Sequence, residues 1–314
     1  MKRFILAAMV AAGGAAALTW ELLWQVQSCL AVGVSARGTA ITLAATMGGM
    51  SVGAWLAGRL LRDRTPQVPL RIYGGLELLI GLSGLLMVPG FRALETIDSW
   101  AYGLAPSLAP YVHLLGVLLL LGGPTIAMGA TLPVLGLVAR QLGGRLSRFY
   151  AINTAGAAIG LLGASFVLVP ALGIAVTAQT AASVNLLIAV TARTLARRAA
   201  MRGAPEAVAP GPLPHAADAS GAALAPALAA AVVFTTGFVT FLLEVAWFRS
   251  LRAAFQNTTD SFAIMLAPVL VAIAVGAHLV PRLRRGGARM PPLLLAASGM
   301  AVLLATPVIE RFDV

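Results

Sequence analysis

Charge is what this sequence has least of. Of 314 residues only 11% are charged and 59% are hydrophobic, with a mean hydropathy of +0.91. Soluble domains carry about 25% charged and 45–50% apolar residues, so the deficit excludes a conventional water-facing surface. Cysteine is nearly absent. The single thiol, Cys29, excludes an intrachain disulfide and any multi-cysteine metal site. Near the end of an apolar run it reads as packing. Aromatic residues make up 6% of the chain. The net charge of +11 does not point to nucleic acid, because that would need basic residues gathered on one solvated face beside stacking aromatics. Here the arginines form short clusters between apolar runs, the pattern of topology signals at a membrane surface.

What is present is hydrophobic length. A membrane span takes about 20 mainly apolar residues, and nine stretches qualify: 4–32, 38–61, 70–90, 111–138, 149–169, 172–192, 224–248, 261–281 and 291–309. The expected fold is an all-α integral membrane bundle whose main partner is the lipid bilayer. Lys2, Arg3 and Ala15-Ala16-Ala17 imitate a signal peptide, but the apolar run continues past Trp20 to Val32. That is too long for a cleaved leader, so a retained helix is expected.

Basic residues set the orientation. Lys2, Arg3, Arg59, Arg62, Arg64, Arg71, Arg140, Arg145, Arg148, Arg193, Arg197, Arg198, Arg202, Arg282, Arg284, Arg285 and Arg289 place 17 on one side of such a membrane; Arg37, Arg92, Arg249, Arg252 and Arg311 place five on the other. The richer side is expected to be cytoplasmic, with the N-terminus there. A multi-pass protein of a bacterial inner (plasma) membrane follows. Residues 201–221, rich in Pro, Ala and Gly, read as a cytoplasmic linker, and His215 within them has no ligand partners. Between Arg92 and Pro110, Leu94, Ile97, Trp100 and Tyr102 stand beside Glu95 and Asp98, as in a short interfacial helix.

The chain also repeats itself. A shift of 223 residues, without gaps, brings Gly14 onto Gly237, Glu21 onto Glu244, Trp24 onto Trp247, Gly53-Ala54 onto Gly276-Ala277, Arg59-Leu60 onto Arg282-Leu283 and Arg62 onto Arg285. From Gly14 to Arg62 there are 15 identities in 49 positions. Apolar composition alone does not align Glu, Trp and two Arg together. The expected organisation is a first six-helix half (1–200), the linker (201–221), and a second half (222–314) holding three helices and so incomplete. Both copies share one orientation, as in parallel halves related by an axis along the membrane normal.

The segment Gly53-Ala-Trp-Leu-Ala-Gly58-Arg59-Leu-Leu-Arg62-Asp63-Arg64 resembles the loop motif after the second helix of major facilitator transporters. Ala17-Leu-Thr-Trp-Glu21-Leu-Leu-Trp24, Pro69-Leu-Arg-Ile-Tyr73-Gly-Gly-Leu-Glu77, Pro124-Thr-Ile-Ala-Met-Gly-Ala-Thr-Leu-Pro133 and Arg148-Phe-Tyr-Ala-Ile-Asn153-Thr-Ala-Gly156-Ala-Ala-Ile-Gly160 resemble the membrane region of fused facilitator-like/spermidine-synthase-like proteins. The resemblance implies a major-facilitator-like bundle, association with polyamine-type chemistry, and a synthase-like aminopropyltransferase domain encoded downstream. No catalytic residue of such a domain can be carried over. Gly156–Gly163 lies inside an apolar span, not at a strand-to-helix turn, so it is no nucleotide fingerprint. No catalysis, cofactor or metal is expected of this chain alone.

Three carboxylates fall inside the spans: Glu21, Glu77 and Glu244. An ionisable group there costs about 2.5–3.5 kcal/mol on insertion scales and is a functional candidate by default. Glu21 and Glu244 each precede a tryptophan, Trp24 and Trp247, by three residues, which puts carboxyl and indole on one helix face. That pairing suits an organic cation or proton exchange. The competing reading is a protonated carboxyl bonded to a neighbouring helix, with Trp at the outer interface. Tyr73 and Glu77, four apart, form a further substrate or proton candidate, although a structural bond to the loop carrying Arg59 and Arg62 is favoured. Pro124 and Pro133 mark a candidate helix break, with a simple kink as the alternative. Asn153, Gly156 and Gly160 read as a packing seam. Three functions fit: a membrane module of a synthase-like fusion handling a polyamine-like cation, a facilitator-type transporter using intramembrane Glu residues, or a scaffold without transport.

Overall fold

A computed structural model describes residues 2–32, 36–61, 69–141, 146–201, 226–256, 258–283 and 290–310. Most of the linker, His215, and the basic positions Arg62, Arg64, Arg145, Arg202, Arg284, Arg285, Arg289 and Arg311 lie outside these residues. The described residues are helical almost throughout and contain no strand, as expected where backbone groups must pair within their own segment.

The helices are α1 (Lys2–Val32), α2 (Ala36–Leu60), α3 (Pro69–Leu85), α4 (Met87–Leu104), α5 (Ala109–Gln141), α6 (Leu146–Gly163), α7 (Val169–Met201), α8 (Pro226–Phe255), α9 (Thr258–Leu283) and α10 (Met290–Glu310). A 3-10 turn, Pro106–Leu108, precedes α5, and a π-helical stretch, Ala164–Leu168, joins α6 to α7. Among the described residues, six stretches are long and apolar enough to cross a membrane, or seven if α3 and α4 form one span bent by 50°. One stretch, Leu146–Met201, is 56 residues. At 1.5 Å per residue that is about 84 Å, more than twice a hydrocarbon core of about 30 Å. Gly173, with φ 77° and ψ 172°, divides it; only glycine adopts that conformation without strain.

Helix ends depart from the hydrophobic windows in an instructive way. The window ending at 192 continues as helix to Met201, because Thr191–Met201 is built largely of Ala, Leu and Arg, good helix formers whatever their polarity. The window 70–90 breaks at Leu86 instead. Beyond it, α4 is a helix where a short one was expected, starting five residues before Arg92. Met87, Phe91 and Leu94 are buried while Trp100 and Tyr102 are exposed. α5 corrects an expectation. It is one continuous helix with Pro124 and Pro133 inside it, so the break does not occur. Thr125 Oγ1 donates to the Leu121 carbonyl at 2.7 Å, a side-chain bond of the kind that steadies a proline-containing turn.

Lipid offers no hydrophobic drive between helices, so association rests on close packing. The most extensive pairings are α2 with α5, α1 with α6, α3 with α7 and α6 with α9. In the α1–α6 seam, a Cβ at Gly14 would overlap the Asn153 carbonyl, and one at Gly156 or Gly160 would overlap the Ala11 or Ala15 carbonyl. The seam expected at Asn153–Gly160 is therefore present, with α1 as its partner. Trp20 and Trp24 stack at 6.3 Å within an apolar cluster that includes Met87, Phe91 and Leu121. A separate cluster joins Leu22 of α1 and Leu161 of α6 to Phe248 of α8 and Phe262 of α9.

The helix bounds follow the internal repeat. Adding 223 to the bounds of α1, α2 and α3 gives 225–255, 259–283 and 292–308, beside the observed 226–255, 258–283 and 290–310.

Candidate functional site: two carboxyl clusters on either side of the first helix

Adjacent residues of α1 reach two different polar clusters. The first faces α3 and α7. Trp20 Nε1 donates to Asn185 Oδ1 at 2.9 Å, and Asn185 Nδ2 donates to Glu77 Oε2 at 2.7 Å. An indole N–H only donates, which fixes the amide: its oxygen faces Trp20 and its nitrogen faces Glu77. The Tyr73 hydroxyl lies within electrostatic reach of the same carboxyl. Trp20, Tyr73, Glu77 and Asn185 are all buried. Gly13 of α1 makes room, since a Cβ there would come within 2.8 Å of the Tyr73 hydroxyl. Glu77 thus finds a partner in Asn185 of α7, while residues 62–68 of the loop expected to hold it lie outside the described residues. Trp20, Asn185 and Glu77 each have a partner in this chain of bonds.

The second cluster is not satisfied. Glu21, Gln25 and Ser28 follow at i, i+4 and i+7, within an arc of about 60° at 100° per residue. All three are at least nine-tenths buried, yet Glu21 Oε1, Gln25 Oε1 and Ser28 Oγ have no hydrogen-bond partner. Gln25 commits its amide nitrogen to Thr39 Oγ1 of α2 at 3.4 Å and Cys29 Sγ at 3.5 Å. Across from them, Glu244 Oε1 of α8 is also buried and unpartnered. The two carboxyl groups lie within electrostatic reach of each other, and Arg252 of α8 stands within such reach of the Cys29 sulfur. Buried polar groups are nearly always paired, and in hydrocarbon the cost of leaving them unpaired is high. Three such oxygens lie on α1 and one on α8, each able to accept a hydrogen bond.

Depth adds weight. Glu21 lies ten residues from the nearer end of the apolar stretch Phe4–Ala31, and Glu244 eleven from the nearer end of Ala230–Phe255. At 1.5 Å per residue each is about 15 Å along the helix from the nearer end of its apolar stretch.

The repeat-related residues separate by type. The carboxyls lie within electrostatic reach of each other, whereas the tryptophans belong to different clusters. Trp24 is 2% exposed and stacked on Trp20, away from any outer interface, while Trp247 packs on the cluster around Leu22 and Phe248. Pro124 and Pro133 lie within α5, which packs on α2 and α3. The sequence reading passed over Asn185, Gln25 and Ser28. For Gln25 and Ser28 a signal existed, their helical spacing from Glu21. It also passed over Asp260 in the first turn of α9, which accepts a bond from Ser165 Oγ at 3.1 Å. Ser165 belongs to the π-helical stretch, a feature often found at functional positions. At the edge of the bundle, Asp98 of α4 and His113 of α5 pair at 2.7 Å.

No family model, curated protein or solved structure matches this chain.

Proposed function

We propose that this chain is a multi-pass membrane module that holds a small organic cation, or the proton exchanged for one, between Glu21 and Glu244. What supports the reading is that two repeat-related carboxyls, each well inside an apolar helix, lie within electrostatic reach of each other and have buried oxygens without a partner. Two carboxyl groups near each other in hydrocarbon call for a positive charge, and intramembrane carboxylates commonly mark ion and proton pathways.

The motifs from Ala17 to Gly160 make the module akin to the membrane region of spermidine-synthase-like fusions, with a polyamine-like amine as cation and a synthase-like domain downstream as partner. The chemistry of aminopropyl transfer then belongs to that domain. The matching bounds of α1–α3 and α8–α10 favour a second reading as well: parallel halves of a major-facilitator-like bundle, moving against each other around a site at their interface. On that reading the chain forms nine spans, with a cytoplasmic N-terminus in a bacterial inner membrane.

The test is cation binding and uptake by the full chain in reconstituted membranes, compared with the Glu21→Gln, Glu244→Gln double variant. Loss of binding in a variant that elutes as a folded species supports the reading. Unchanged binding overturns it.

A further inference from the structure

The bonds on the α3 and α7 side of α1 are independent of the cation site, and their donor order fixes where a proton fits. Trp20 Nε1 only donates, so Asn185 turns its oxygen there and its nitrogen to Glu77 Oε2. Oε2 is thereby committed to accepting, and Oε1 is the carboxyl oxygen left to carry a proton. That oxygen and the Tyr73 hydroxyl abut the same point of α1: a Cβ at Gly13 would stand 3.2 Å from Glu77 Oε1 and 2.8 Å from Tyr73 Oη. We propose that Glu77 is a proton-binding site separate from Glu21 and Glu244, which holds its proton on Oε1 and exchanges it with water while the Trp20–Asn185–Glu77 bonds stay in place. In the loaded state the O–H at Oε1 donates to the Tyr73 hydroxyl. On release that O–H bond breaks, its electron pair stays on Oε1 and water takes the proton. The Tyr73 hydroxyl, which both donates and accepts, then turns to donate to Oε1. The amide is pinned by Trp20, so the hydroxyl is the group that rotates.

The surroundings suit a proton rather than a larger ligand. Glu77 is eight residues from either end of α3, about 12 Å along the helix. It is 3% exposed and Tyr73 1%, and Tyr73 is packed in an apolar cluster with Leu6, Val10 and Ile188. Among the described residues no cation forms an ion pair with Glu77, and a bare carboxylate in such a setting is costly. The charged groups of the neighbouring helices stand elsewhere. Arg193 of α7 lies against Gly74, its Cγ 3.6 Å from a Cβ there, one turn before Glu77. His113 and Arg140 are near the two ends of α5, Arg92, Glu95 and Asp98 follow the turn at Leu86, and Glu21 belongs to the other cluster. Tyr73 is one turn nearer than Glu77 to the Pro69 end of α3, where Arg71 is exposed, so exchange runs toward that end.

The experiment is pH-difference infrared spectroscopy on the full chain in nanodiscs, with isotope-labelled glutamate to assign the carboxyl bands. The parent should show the C=O band of a buried protonated glutamate, which raising the pH converts reversibly to carboxylate. Glu77→Gln should remove that band, and Glu21→Gln with Glu244→Gln should leave it. Tyr73→Phe takes the acceptor from the acid O–H, and Asn185→Leu takes the donor from Oε2; each should move the band to higher wavenumber. Gly13→Ala crowds Oε1 and the Tyr73 hydroxyl without touching the Asn185 bond, so it should shift the same band even where Glu77→Gln does not fold. A Glu77 that stays ionised, or stays protonated, at every pH at which the chain is folded overturns the proposal. So does an acid band unmoved by both Tyr73→Phe and Gly13→Ala.

Discussion

Replacing Asn185 with leucine keeps the branching of the side chain and removes both bonds that tie α1 and α3 to α7. Trp20 Nε1 loses its acceptor at 2.9 Å and Glu77 Oε2 its donor at 2.7 Å. Interhelical side-chain bonds in membranes average about 0.6 kcal/mol and reach about 1.7, so two bonds give about 1–3.5 kcal/mol. The upper part of that range is expected, because Glu77 is 3% exposed and retains only Tyr73 beside it. Stability is measured by reversible unfolding in mixed micelles. The same experiment on Trp20→Phe and on the double variant closes a cycle. Once Asn185 is gone the indole has nothing to donate to, so the double variant costs less than the sum of the singles by at least about 0.5 kcal/mol, the usual coupling of residues sharing a network. Strict additivity, or an Asn185→Leu variant as stable as the parent, refutes the chain of bonds.

Other perturbations read other parts of the account. Gly14→Val drives a side chain into the backbone of α6, while a Cβ at the repeat-related Gly237 meets nothing within 4 Å. The first should lose about 1–3 kcal/mol and Gly237→Val should stay within about 0.5, both read by the same unfolding assay. Gly173→Ala forces a Cβ into a conformation suited to glycine and should cost about 1–3 kcal/mol, measured as a lowered thermal midpoint in detergent. Cys29 is 5% exposed, so labelling by a polar maleimide should be slow in the folded chain and fast in denaturing detergent; equal rates would contradict its burial.

Length and hydrophobicity made the helices legible, since a continuous apolar run in lipid has only the helix open to it. Their ends were less so. The helix past 192 rests on propensity rather than hydropathy, and the turn at Leu86 lies inside an apolar run that no composition window divides. Of the candidate site, the repeat singled out Glu21 and Glu244 because a carboxyl is rare in such a background. It could not tell that their tryptophans face different clusters, because residues three apart share a helix face only loosely and packing chooses the neighbour. Asn185 gave no signal because its role depends on Glu77, 108 positions earlier in the chain. The prolines of α5 misled because a missing N–H removes one bond of a ladder without ending it.

The most direct measurement asks whether the two repeat-related carboxyl positions meet. In a Cys29→Ser background, Glu21→Cys with Glu244→Cys is treated in membranes with a short bifunctional thiosulfonate, and Glu77→Cys with Glu244→Cys serves as the comparison. The account predicts an intramolecular cross-link for the first pair, slowed by bound amine, and none for the second. No cross-link between positions 21 and 244 in a folded chain, or equal yields from both pairs, would contradict it.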